Sequence, residues 1–125
     1  MRAVRGFGDA LNRNDREAAR QFLADDVLIV DQSGNDIQGA DEYLTAYFAY
    51  AKAAGNPKIV LDSVDPNREE VLVRGHLAGG SEEVSAPTMW RVIFDGPLIA
   101  HVEITRTDNS MTVASFAAQN RAETA

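Results

Sequence analysis

The sequence contains no cysteine, which excludes disulfide bonds, thiolate-based zinc sites, iron–sulfur clusters and cysteine nucleophiles. Lysine is also scarce, since only Lys52 and Lys58 occur, and the arginines are scattered along the chain. The 19 acidic residues outnumber the 12 basic ones and give a formal net charge of −7. Because nucleic-acid phosphates require clustered positive charge, we do not expect this chain to bind nucleic acid.

Long apolar runs are absent as well. No stretch approaches the roughly 20 apolar residues that cross a membrane, and charges occur throughout the N-terminal part. We therefore expect no signal peptide and no membrane association, and a cytoplasmic location agrees with the lack of disulfides. The 125 residues, 45% of them hydrophobic, are sufficient for one globular domain with a substantial core.

The first half of the chain has mainly helical periodicity. It predicts a helix over Arg2–Arg13, a short second helix that Asp15 caps, and a long helix over Asp41–Ala54. The apolar, largely β-branched run Val27–Val30 predicts a buried strand before the long helix. Turn-forming residues follow this strand over Gln32–Asp36.

After Gly55 the periodicity changes from helical to alternating, which is typical of strands. The predicted strands are Lys58–Val64, Glu70–Ala78, Val84–Phe94 and Leu98–Arg106, with a turn at Asp65–Asn67. Residues 111–118 fit either a strand or a short helix, and residues 120–125 are predicted to be a frayed tail. Helices first and hairpin-connected strands later indicate an α+β fold.

This pattern resembles the nuclear-transport-factor-2-like (NTF2-like) superfamily from Val4 to Thr107. The superfamily includes ketosteroid isomerases, limonene epoxide hydrolases and SnoaL-like polyketide cyclases. The resemblance rests on Ala24-Asp25-Asp26, interpreted as a helix end, on the strand Val27–Asp31 that follows, and on the late strand pair joined by Asp95-Gly96. It implies one domain over residues 1–119, a cystatin-like α+β barrel. Its cone-shaped, curved antiparallel sheet would pack on three N-terminal helices, and the chain would be a homodimer.

Asp31 falls on the position of the general base in the ketosteroid isomerases that this pattern resembles. Such a base moves a proton on a carbon beside a carbonyl, inside a mostly apolar pocket. The resemblance places Phe7 and Trp90 where those isomerases carry their oxyanion donors. Phe7 offers no donor and Trp90 offers one N–H, which argues against steroid isomerisation by that route. The alternative is that Asp31 caps the turn that follows it.

His101, Glu103 and Thr105 alternate along one face of the last predicted strand, opposite an apolar face. If the apolar face pairs with a second subunit, His101 and Glu103 point into the pocket as catalytic partners of Asp31. The other orientation makes them a polar surface facing solvent. The remaining residues predicted to line a substrate pocket are Phe7, Phe22, Tyr47, Trp90 and Thr105.

The leading functional hypothesis is a small-molecule enzyme of the isomerase or cyclase type, with a pocket carboxylate as general base on an apolar, carbonyl-bearing substrate. The alternatives are a non-catalytic module that binds a small apolar ligand and an oligomerisation domain. No cofactor is predicted. A metal site built from His76, His101 and Glu103 would have suitable ligand types, but no ligand spacing supports one, so no metal is predicted either.

Overall fold

The computed structural model describes residues 2–80, 87–106, 112–114 and 116–118. Its helices are α1 (Arg2–Asn12), α2 (Arg16–Arg20) and α3 (Ala40–Ala53). Its strands are β1 (Leu23–Asp31), β2 (Asp36–Gln38), β3 (Lys58–Asn67), β4 (Glu70–Ala78), β5 (Thr88–Asp95) and β6 (Leu98–Arg106). The predicted strand residues 84–86 and the predicted tail 120–125 lie outside the described residues.

The described strands form one six-stranded sheet in the order β2-β1-β6-β5-β4-β3. The sheet is curled but not closed. The predicted α+β fold with three N-terminal helices is confirmed. The sheet is mixed, because β1 pairs with β6 in parallel while the other neighbours are antiparallel. A hairpin cannot form a parallel pair, so β1 and β6 are joined by a long stretch of intervening chain.

The second helix ends earlier than the sequence pattern indicates. Asp15 caps it as predicted, since its carboxylate accepts a hydrogen bond from the Ala18 N–H over 3.1 Å. The helix stops at Arg20, however, and the interpretation of Ala24–Asp26 as a helix end is wrong, because these residues belong to β1. The reason is tertiary: Leu23 pairs with Ile99 of β6, and the register then shifts before Leu28.

The turn predicted at Asp65–Asn67 is also wrong, because β3 continues through Asn67 and pairs with β4 along its whole length. The reversal instead occurs at Arg68 and Glu69, where Arg68 adopts a φ of 61°. A proline at position 66 is tolerated since β3 lies at the edge of the sheet, where a strand needs hydrogen bonds on one side only.

The core lies between the helices and the inner face of the sheet. On β4, β5 and β6 the inner face consists of alternate residues such as Val73, Val92 and Val102, all buried. Residues 113, 114 and 116–118 are helical, in agreement with the helical alternative for this segment, and Phe116 packs edge-on against Tyr50. In the described part of the chain, no helix combines the length and the apolar character that crossing a membrane would require.

Candidate functional site

A cavity lies between α1, α3 and the inner face of the sheet. About 510 Å³ of space free of protein atoms lies between its walls, and part of this space is open to solvent. Its walls are almost entirely apolar or aromatic, and they include Val4, Phe7, Leu11, Tyr43, Ile59, Leu61, Trp90 and Val102. A cleft with mainly apolar and aromatic walls is a common setting for a small-molecule site in a protein.

A second chamber lies beside this cavity, with about 450 Å³ of space free of protein atoms, part of it open to solvent. Four residues line both spaces: Tyr43, Ile59, Trp90 and Val102. The second chamber differs from the first in its chemistry, because its walls also contain polar groups. These are Tyr47, Tyr50, Thr88, Arg106 and Thr112. Of the two spaces, the first is therefore almost entirely apolar and the second combines apolar with polar walls.

Arg106 supplies the charge in this second chamber. It follows Val102 and Ile104 on the inner face of β6 and is only 5% exposed. Its backbone N–H donates to the Gln32 side-chain oxygen over 2.6 Å, which holds the end of the strand in place. Its guanidinium donates a hydrogen bond to the Tyr50 hydroxyl, since guanidinium groups can only donate.

The tyrosines of α3 remain protonated at neutral pH. Burial raises the pKa of Tyr50 above its ordinary value, although the charge of Arg106 and its hydrogen bond partly offset the increase. Burial also raises the pKa of Tyr43 and of Tyr47. The phenols that line the cavity are therefore neutral hydrogen-bonding groups rather than bases.

Asp31 is held by four hydrogen bonds at the end of β1. One carboxylate oxygen accepts from the backbone N–H groups of Ser33 and Asn35, over 2.9 and 3.0 Å. The other accepts from the Asn35 amide over 3.0 Å and from the Thr112 hydroxyl over 2.8 Å. Partial burial acts to raise the pKa of Asp31, but these hydrogen bonds outweigh it and leave the pKa below its ordinary value. The contacts are those of the turn-capping alternative, and the bond to Thr112 links the Asp31 carboxylate to the cavity wall.

His101 and Glu103 lie on the outer face of the sheet. Glu103 accepts a hydrogen bond from Arg91 over 2.7 Å, and Arg91 also pairs with Glu70. His101 Nε2 is 3.9 Å from the nearer Glu103 oxygen. Their neighbours Val102 and Ile104 line the cavity instead. This is the reverse of the orientation that would point His101 and Glu103 at a ligand, and it arises because the helices cover the apolar face of β6.

The other predicted pocket residues divide between the cavity and its surroundings. Phe7 and Trp90 line the apolar chamber, and Tyr47 and Trp90 line the polar one. Phe22 stands behind the wall, where its ring packs edge-on against Phe7 with 6.2 Å between ring centres. Thr105 is exposed on the outer face, where it borders an open groove that Thr88 and Arg106 also line.

Arg106 is not among the site residues predicted from the sequence, although the sequence contains a signal for it. Val102, Ile104 and Arg106 share the apolar face of β6 by simple alternation. An arginine that continues an apolar face is either at a solvated strand end or inside the protein. Here it lies inside, because Tyr50 of α3 and Gln32 after β1 both bind it.

Comparison with known families places this geometry in context. The SnoaL-like domain family matches the sequence over residues 4–107. The chain belongs to the SnoaL-like domain family. No curated protein sequence matches this SnoaL-like chain significantly. The described residues contain no group of three or more His, Asp or Glu side chains placed to hold a metal ion.

Several solved structures resemble this SnoaL-like protein. A proposed polyketide cyclase of Sinorhizobium meliloti is 23% identical, with a TM-score of 0.74 over 83% of this chain and 94% of that chain. A proposed ketosteroid isomerase of Kribbella flavida is 18% identical, with a TM-score of 0.75 over 88% and 78%. A Catenulispora acidiphila protein with a ketosteroid isomerase-like fold, in complex with trimethylamine, is 18% identical, with a TM-score of 0.68 over 90% and 91%.

At these identities the likeness shows the NTF2-like fold and nothing about substrates. The family and fold suggest isomerase- or cyclase-type activity or ligand binding. Which of these applies depends on the chemistry of the cavity.

Proposed function

We propose that this SnoaL-like protein binds an apolar small molecule that carries one anionic oxygen group, such as a carboxylate or an enolate. The observation that carries the proposal is the buried Arg106, the one charged residue among the described residues that line the two chambers. The ligand's apolar body would occupy the chamber beside Phe7 and Trp90, and its oxygens would meet Arg106 and Tyr50.

The physical basis is the location of the positive charge. A guanidinium presents five N–H donors in a plane that matches carboxylate-like oxygens. In a water-poor interior its attraction for an anion is much stronger than at the surface. The described residues that line the two chambers include no carboxylate, so an incoming anion meets no like charge there. Apolar contact with the walls adds about 25 cal/mol per Å² of ligand surface removed from water.

Two fluorescent probes with matched rings test this proposal. Anilinonaphthalene sulfonate carries an anion, whereas N-phenylnaphthylamine has the same apolar rings without the sulfonate. We expect Arg106→Gln to weaken binding of the anionic probe by about tenfold or more and to leave the neutral probe within about twofold. Arg106→Lys, which keeps the charge, should lie between wild type and Arg106→Gln.

Arg74→Gln is the matched control, because Arg74 is exposed on the outer face of β4. It should leave the binding of both probes unchanged. The proposal is overturned if the wild-type protein binds neither probe. It is also overturned if Arg106→Gln, folded as judged by circular dichroism, binds the anionic probe as tightly as wild type.

A second candidate function is proton transfer of the isomerase or cyclase type, with Asp31 as general base on a carbonyl-bearing ligand. The observation in its favour is the hydrogen bond of 2.8 Å between Asp31 and Thr112, because Thr112 also lines the polar chamber. For this chemistry, ligand binding must displace some of the hydrogen bonds that lower the pKa of Asp31.

Hydrogen–deuterium exchange at the carbon beside the carbonyl of a bound ligand distinguishes the two candidates. Enzyme-dependent exchange that Asp31→Asn abolishes, while ligand affinity is retained, supports catalysis. Exchange at the uncatalysed rate in the wild-type complex leaves ligand binding as the function.

A further inference from the structure

Gly8 lies in the middle of α1, where two spaces meet. Outside the apolar cavity, a polar groove of about 430 Å³ runs between α1 and β3. The groove is lined by Arg5, Gly8, Asp9, Asn12, Ile59 and Leu61. Three of these, Gly8, Ile59 and Leu61, also line the apolar cavity. The groove and the cavity are therefore neighbours, and the buried Gly8 borders both.

A glycine at this position weakens the helix and gains nothing in packing. In a helix interior glycine is less favourable than alanine by about 1 kcal/mol. Gly8 has no positive φ that would require glycine. A Cβ atom added to it would meet only Leu61 Cδ1, at 3.9 Å, which is an ordinary van der Waals contact. Neither the backbone conformation nor a close contact explains the absence of a side chain.

At two other glycines, a close contact explains the absence of a side chain. A Cβ on Gly6, two residues before Gly8 in the same helix, would lie 2.9 Å from Phe22 Cζ. A Cβ on Gly75 of β4 would overlap the Val60 carbonyl oxygen. Packing therefore requires glycine at both of those positions. At Gly8 an added Cβ would overlap nothing, and the residue borders both the groove and the cavity.

We propose that Gly8 keeps a ligand access route open between α1 and β3, and that this groove is the way by which the ligand enters. The inference rests on the proposed binding function. The spacing of the route is set by Asn12, whose side chain donates to the Ile59 carbonyl over 3.0 Å and accepts from the Ile59 N–H over 2.8 Å. These two bonds tie the end of α1 to the start of β3, so the opening has a defined width.

Binding kinetics of the neutral probe N-phenylnaphthylamine test the route. Stopped-flow fluorescence would compare wild type with Gly8→Ala and Gly8→Leu. A side chain in the passage raises the barrier for entry and for exit alike, so both rate constants should fall while the equilibrium affinity changes less. We expect the association rate to fall by about tenfold or more in Gly8→Leu and by a smaller factor in Gly8→Ala.

The control is Arg2→Leu, which adds the same side chain to α1 at an exposed position outside the groove and the cavity. It should bind the probe at the wild-type rate. Gly8→Ala should also raise the melting temperature, because alanine favours the helix. Slower binding by a more stable protein cannot be attributed to unfolding.

Gly8→Cys provides an independent measurement in case the leucine variant does not fold. The natural chain has no cysteine, so this thiol would be the only one. Modification of the folded variant with methyl or benzyl methanethiosulfonate should slow association in order of adduct size, and reduction should restore it. Association at the wild-type rate in Gly8→Leu, or in the benzyl adduct, overturns the access route while the binding function stands. A wild-type protein that binds no probe overturns both.

Discussion

Thr112 donates a hydrogen bond from its hydroxyl to the Asp31 carboxylate over 2.8 Å, and so joins residues that are 81 positions apart in the chain. The bond anchors the C-terminal helical segment at the end of β1. It is also one of the four hydrogen bonds that the Asp31 carboxylate accepts. Asp31 therefore falls on the sequence position of a catalytic base, but its contacts are those of a residue that caps a turn.

Replacing Asp31 by asparagine should lower the free energy of unfolding at neutral pH by about 1 kcal/mol, because the new amide nitrogen cannot accept hydrogen bonds. The pKa of Asp31 in the folded protein lies below its ordinary value of 3.8. The stabilisation is therefore present above pH 3.8 and is lost as the pH falls through the folded-state pKa. Urea unfolding at a series of pH values should show that the difference in free energy of unfolding between wild type and Asp31→Asn decreases in acid.

Asp26→Asn is the control for this prediction, since Asp26 lies in the same strand and is exposed. It should change stability little at any pH. A difference in free energy of unfolding between wild type and Asp31→Asn that stays constant as the pH falls would contradict the proposed contribution of the Asp31 carboxylate.

All three tyrosines of the chain lie in α3, and burial raises the pKa of each above the ordinary value of 10.0. The unfolded chain therefore loses phenolic protons first as the pH rises. The contribution of the neutral phenols to stability is complete below pH 10.0 and declines above it. An ultraviolet absorbance titration should show no phenolate in the folded protein near this pH, followed by ionisation together with unfolding.

The same titration in guanidinium chloride provides the reference, because there the phenols should ionise near their ordinary pKa. Ionisation of one tyrosine near pH 10.0 without loss of folded structure would show that its hydroxyl is accessible to water.

Asn12→Ala should destabilise the protein by about 1–3 kcal/mol, because it leaves the N–H and C=O groups of Ile59 without their side-chain partner. Asn12→Asp keeps the acceptor for the Ile59 N–H but removes the donor to the Ile59 carbonyl, so it should be intermediate. Chemical denaturation of the three proteins measures the order. Equal stability of wild type and Asn12→Ala would mean that the link between α1 and β3 contributes nothing.

Glu103→Gln and His101→Ala should leave the binding of both fluorescent probes within about twofold, because these side chains lie on the outer face of the sheet. The effect on stability should also be small, about 1 kcal/mol or less, since partly exposed ion pairs contribute little. Arg106→Gln is the positive comparison. A loss of anionic-probe binding as large as that of Arg106→Gln would show that the outer face takes part in the site.

Local patterns predicted the elements whose residues alternate or repeat cleanly. Glu70–Ala78 and Leu98–Arg106 are strands with the predicted bounds, and the long helix differs from the prediction by one residue at each end. The errors at Ala24–Asp26 and Asp65–Asn67 arose where pairing with a distant strand overrides local preference. Of the candidate site, the apolar walls at Phe7 and Trp90 could be predicted, whereas Arg106 was overlooked.

The sequence by itself determined the α+β class and the NTF2-like resemblance, because helical and alternating periodicities are local and each survives in the folded protein. Only the tertiary structure decided which face of β6 lines the cavity. An apolar strand face can pack on the protein's own core or on a partner equally well, and here the helices cover it. Val102, Ile104 and Arg106 therefore point inward. His101 and Glu103 point outward. The partners of Asp31 and Arg106 were likewise settled by folding, since Thr112 and Tyr50 reach them from distant parts of the chain.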